Sequence, residues 1–185
     1  MSYRNAKNAG FTLVEILIVV VILGILAAIV IPQFTNASEA AKASQLKAQL
    51  QTIRSQLELS QIEHQGVYPA LAGSDEAGWK NLLTKTARLS GSDAGVYVAY
   101  DEDKHNGGPA GPYLQKPPVN AFFAGDNATT VGAAAGDTVA WVYDQSEGTI
   151  VANATSLNAT QAENLGMDVA ATGETDGDVY VKAAG

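Results

Sequence analysis

An α+β architecture is predicted, with a long amino-terminal membrane-spanning helix packed on a small head that carries an antiparallel sheet. Three observations predict it. Residues 11–31 form an apolar run with a single charged residue, Glu15. Ala43, Leu46, Leu50, Ile53 and Leu57 then recur at steps of three and four, so one helical face stays apolar beyond that run. Finally, Thr138-Val139-Ala140-Trp141-Val142-Tyr143 and Thr149-Ile150-Val151-Ala152 flank Asp144-Gln145-Ser146-Glu147-Gly148, two β-rich runs joined by a Gly-ended turn.

Four segments follow: a leader at 1–10, a transmembrane helix at 11–35, its amphipathic continuation at 36–65, and a globular head at 66–185. At 1.5 Å per residue the apolar run would reach ~31 Å, enough for a hydrocarbon core of ~30 Å. Arg4 and Lys7 precede it with no acid among them, and the next basic residue is Lys42. The positive-inside rule then places the amino terminus in the cytoplasm and the rest across the membrane. A secretory signal peptide has a shorter apolar core, ~7–15 residues. An uncleaved signal anchor fits length and charge but gives no reason for Glu15, which costs on the order of 2.5–3.5 kcal/mol in a spanning helix.

The string Gly10-Phe11-Thr12-Leu13-Val14-Glu15, after a short basic leader and before an apolar helix that reaches Pro32, resembles the class III signal of type IV pilins and type II secretion pseudopilins. The resemblance covers residues 1–64. It implies cleavage between Gly10 and Phe11 by a prepilin peptidase and N-methylation of Phe11. It further implies a bacterial inner-membrane protein, single-pass, with a cytoplasmic amino terminus and a periplasmic head, extractable into an envelope-spanning or surface filament. The implied partners are further copies in a homopolymer, an inner-membrane assembly platform and minor pseudopilins. Assembly would rest on Glu15, Gly24 and Pro32.

Cleavage would create an α-amino group with a reference pKa of ~7.7–8.0, a cation for Glu15 to meet. The Phe11 amine and Glu15 lie four residues apart, so they share a helix face and can pair within one subunit. The resemblance instead implies pairing with the Phe11 amine of a neighbouring subunit. Both stay open at the level of sequence. Gly24 and Pro32 weaken helical hydrogen bonding between them, and the resemblance implies that this stretch melts in a packed filament. The alternative is a small-residue contact face, Gly24-x-x-x-Ala28.

In residues 36–65 the apolar stripe needs a cover, for which the chain's own sheet is expected, and Gly66 with Tyr68-Pro69 marks the helix end. In the head, Trp79, Leu82, Leu83 and Leu89 predict a short helix, and Val96-Tyr97-Val98-Ala99-Tyr100 a strand. Gly111-Pro112-Tyr113-Leu114 resembles a segment of major pseudopilins that leads into the sheet; an ordinary Pro-containing turn is the alternative. Beyond Asn153 the chain is rich in Ala, Thr, Asn and Gly, and Asp178-Val179-Tyr180-Val181 reads as a last edge strand or part of a mobile tail. The triplets beginning at Asn127, Asn153 and Asn158 match a glycosylation pattern short enough to recur by chance.

The 185 residues carry a net charge of −8; without the leader, nine basic residues stand against nineteen acids, a charge of −10. Such a surface repels phosphate backbones, so no nucleic-acid partner is expected. There are no cysteines, which departs from the disulfide common in type IV pilins and tilts the resemblance toward the major pseudopilin. Major pseudopilins hold calcium in a carboxy-terminal loop, which implies Ca²⁺ with Asp176 and Asp178 among its ligands. Those carboxylates would not fill a shell of six to eight oxygens alone, and a solvated acidic turn is the alternative. No nucleophile or zinc pattern is present, and no enzyme is expected.

Overall fold

The stripe at steps of three and four becomes the spine of the core. In the computed structural model, which describes residues 11–88, 97–104, 108–154, 156–170 and 177–181, helix α1 runs unbroken over Leu13–Glu63. The chain divides into two units, Met1–Glu39 and Ala40–Gly185, and α1 contributes to both.

In the second unit Ala43, Leu46, Leu50, Ile53 and Leu57 are all buried. Removing such side chains from water stabilises by ~1.5–3 kcal/mol for each Leu or Ile, so the stripe is a principal source of the head's stability. The same spacing continues through Ser60 and His64, which are buried as well. The helix closes through Gln65, in the left-handed region at φ 56°, and Gly66, whose N–H donates to Gln61 O at 2.8 Å. This is the six-to-one bond of a Schellman ending, so the reversal begins one residue before the expected glycine.

The expected short helix near Trp79 is two single turns, α2 (Asp75–Gly78) and α3 (Lys80–Leu83). Gly78 sits against the Gly73 backbone, where a Cβ would lie 2.5 Å from Gly73 O. Strands β1 (Thr86–Ala87) and β2 (Pro109–Ala110) pair antiparallel. The strand expected at 96–100 is much reduced. Val96 and Leu89 lie outside the described residues; of the rest, Ala99 alone bridges to Thr86, supported by Ala87 N–H to Val98 O and Tyr100 N–H to Lys85 O.

After a 3-10 helix at Gly125–Thr129, the main sheet has the order β3 (Val131–Gly132), β4 (Trp141–Asp144), β5 (Thr149–Asn153), β6 (Val179–Tyr180). Its centre is the expected hairpin, with Trp141 opposite Ala152 and Tyr143 opposite Ile150. Both outer strands are parallel to their neighbours, which makes the sheet mixed around an antiparallel core. Alternation sends Trp141, Tyr143, Ile150 and Ala152 into the cluster built on the α1 stripe, and Val142 and Val151 to the other face with Ala170. The hairpin turn is held by Asp144, whose Oδ1 accepts from the Ser146 N–H at 2.8 Å and hydroxyl at 2.6 Å. Gly148 has φ 69°, and a Cβ there would strike the Tyr68 ring.

Of the two readings for the carboxy-terminal region, the strand is the one observed. β6 pairs with β5, and α4 (Ala159–Asn164) opens on a capping box in which Asn158 accepts from Gln161 N and Gln161 from Asn158 N. Leu157, Met167 and Val179 join the main cluster.

Candidate functional site

Among its described residues, the amino-terminal unit presents an apolar surface. From Phe11 to Ile31 the large hydrophobic side chains are exposed, Phe11 at 84%. A soluble helix shows such residues on one stripe only; here they occur all round, which is the pattern of a helix meant for lipid or for other helices. Its length and composition suffice to cross a membrane.

Glu15 has a local role that the sequence reading missed. Thr12 precedes the first helical residue, and its N–H and hydroxyl both donate to Glu15 Oε2, at 2.8 and 2.7 Å. The Glu15 N–H donates in return to Thr12 Oγ1 at 3.3 Å. This is a capping box, and its signal was legible as Thr-x-x-Glu at 12–15. Among the described residues Glu15 has no ion-pair partner, and Oε1 accepts none of these bonds. Gly10 lies outside the described residues. Phe11, the first described residue, is exposed next to the cap.

Gly24 and Pro32 both fall within α1, which continues through them as helix. A Cβ at Gly24 would meet nothing within 4 Å, so a neighbouring chain has room to approach there. Pro32 offers no N–H to the preceding turn, and next to it the Thr35 hydroxyl donates to Ile31 O at 3.3 Å.

The Gly-Pro-Tyr-Leu segment is a brace within the head. Tyr113 and Leu114 N–H groups both donate to Leu82 O, at 2.8 and 2.9 Å, and the Tyr113 hydroxyl donates to Glu63 Oε2 at 2.7 Å. Gly111 adopts φ 69° with the Tyr113 ring 3.1 Å from where a Cβ would sit. Arg88 pairs with Glu63 from the other side. Burial pushes the Glu63 carboxyl up, but the hydrogen bonds from Tyr113 and Arg88 outweigh it and hold it below the usual range.

Asp176 lies outside the described residues. Asp178 is engaged by cations: Arg54 Nη1 is 3.4 Å and Lys47 Nζ 3.9 Å from its carboxylate. Among the described residues no three His, Cys, Asp or Glu side chains cluster as a metal site. The Asn153 triplet is structural too, since its side-chain amide is buried and donates to Gly136 O and Val139 O.

The exposed apolar helix and its Thr12–Glu15 cap lie in the part of the chain that resembles known proteins. Residues 5–31 match the family described as the prokaryotic N-terminal methylation motif. The chain is 39% identical to type II secretion system core protein G of Pseudomonas aeruginosa over 82 residues, 44% of this chain and 54% of that protein. It is 49% identical to type IV major pilin protein PilA of Myxococcus xanthus over 53 residues, 29% of this chain and 24% of that one. To type IV major fimbrial protein FimA of Dichelobacter nodosus it is 33% identical over 105 residues, 52% and 64% of the two chains. The chain thus spans about half the length of the core protein G relatives it matches. No solved structure matches it significantly.

Proposed function

We propose that this chain is a structural subunit of a type II secretion pseudopilus, polymerising through its amino-terminal helix to drive protein export. The observation that carries the proposal is the apolar first half of α1, exposed on all sides and capped at its start by Thr12 and Glu15. Such a surface suits two successive environments, the bilayer before assembly and the helices of other copies afterwards. A prepilin peptidase would cut after Gly10 and methylate Phe11, leaving a cation beside the cap. Glu15 Oε2 would keep the helix start, and Oε1 would be open to the amine of a neighbouring subunit. The inner-membrane assembly platform and minor pseudopilins complete the proposed partners, with the head in the periplasm.

Similarity to the Myxococcus and Dichelobacter proteins favours a second reading, a type IV pilus subunit for adhesion or motility. The absence of cysteine and the Gly111-Pro112-Tyr113-Leu114 brace support the secretion reading over it. Deleting the gene separates them. Loss of proteins from the secretome with surface pili and twitching intact is expected, whereas loss of pili with secretion intact would establish the second reading.

A further inference from the structure

The last turn of α1 holds a buried histidine that no part of the assembly proposal uses. His64 is 1% exposed, its ring stacked on Tyr97 with centroids 3.9 Å apart and planes 11° from parallel. Tyr113 meets it edge-on at 6.3 Å. Ser60 O lies 2.9 Å from Nδ1, and a carbonyl only accepts, so Nδ1 carries the proton. Nε2 of the neutral ring then accepts from the Thr86 hydroxyl at 3.0 Å. The Tyr97 hydroxyl, for its part, donates to Val67 O at 2.9 Å.

We propose that His64 is an acid-released latch, holding β1, β2 and the 97–104 segment against the end of α1 while neutral and letting them open when it is protonated. The geometry opposes a second ring proton. Nε2–H would need Thr86 to turn its hydroxyl toward Ala110 O, which is 3.5 Å away and a poor acceptor at that distance. Among the described residues, the charged and titratable groups around the ring that are named here are already engaged. On α1, Glu63 is already taken by Arg88, which follows β1, and by the Tyr113 hydroxyl, while Tyr97 faces the ring as a neutral phenol. Burial accordingly depresses the proton affinity of His64, with Arg88 adding to the effect and Ser60 and Glu63 opposing it. What the latch holds is slight: β1 and β2 are two residues each.

A group with lowered folded pKa that protonates on opening favours the open state once pH falls below its free value of about 6.5, by up to about tenfold per pH unit until the folded pKa is reached. Amide hydrogen exchange on the full-length protein in detergent micelles, corrected for intrinsic rates, reads this directly. Between pH 7 and 5, protection at Ala87, Tyr100 and Tyr113 should fall while that at Val142 and Val151 holds. The ring signals of His64, followed by NMR in the same samples, should titrate below 6.5. His64→Gln, which keeps a donor and an acceptor without titrating, should make protection at the three amides independent of pH. An unchanged pH dependence in His64→Gln, a His64 that titrates at or above 6.5, or loss of protection throughout the head together would each overturn the latch.

Discussion

Thr12 and Glu15 cap each other at the start of α1: two donors of Thr12 share one carboxylate oxygen of Glu15 at 2.8 and 2.7 Å, and Thr12 Oγ1 accepts from the Glu15 N–H. An acid in an apolar helix thereby acquires a purpose within the monomer, distinct from any in the filament.

The two purposes separate by substitution. Glu15→Gln keeps an acceptor for the cap and removes the charge; Glu15→Leu removes both and costs about 1 kcal/mol more at the helix start. If Glu15 neutralises the Phe11 amine of the next subunit, each variant leaves a buried cation unpaired at every joint, a defect of about 3–5 kcal/mol. Both are expected to insert normally and to yield no filament, as counted by shearing and immunoblot. Normal filaments from Glu15→Gln would leave the cap as the only role.

Processing is read by intact mass. The mature chain should begin at Phe11 with one added methyl, and Gly10→Leu should accumulate an inserted precursor retaining residues 1–10. An unprocessed chain in purified filaments would exclude the class III signal.

The α1 stripe should dominate head stability. Leu50→Ala, at a site 1% exposed, is expected to cost about 2–5 kcal/mol in chemical denaturation. Ile62→Ala, on the same helix at 74% exposure, should stay within about 0.5 kcal/mol. Equal losses would mean that the stripe is not the core.

Glu63 sets an acid limit lower than that of His64. Its folded pKa is depressed, so its contribution is complete above the free value of about 4.5 and is lost as pH falls through the folded value. Denaturation midpoints should therefore drop below pH 4.5, and Arg88→Met, by bringing the folded pKa back toward the free value, should make that drop smaller. An unmoved profile would remove Arg88 as the cause.

Asp178 distinguishes an ion pair from a metal site. Calcium held only by the folded head would add ~2.7 kcal/mol at 100 times its Kd. With Arg54 and Lys47 on the carboxylate, Asp178→Asn is expected to lose about 1 kcal/mol, equally in calcium and in chelator. A loss confined to calcium would place the ion there.

Residue order alone was enough for the long helix, its buried stripe, the central hairpin and the amino-terminal signal, because each rests on spacing within a few residues of chain. The Thr12–Glu15 cap was equally local and was legible in principle. What only the tertiary structure decided involves residues far apart: β6 beside β5, Trp79 edge-on to Trp141 at 6.2 Å, Asp178 against Arg54, and His64 between Tyr97, Tyr113 and Thr86. His64 continues the helical spacing of Leu57 and Ser60, yet spacing marks only the face. Whether a polar side chain on that face is buried depends on partners 22 to 49 residues away that satisfy its hydrogen bonds.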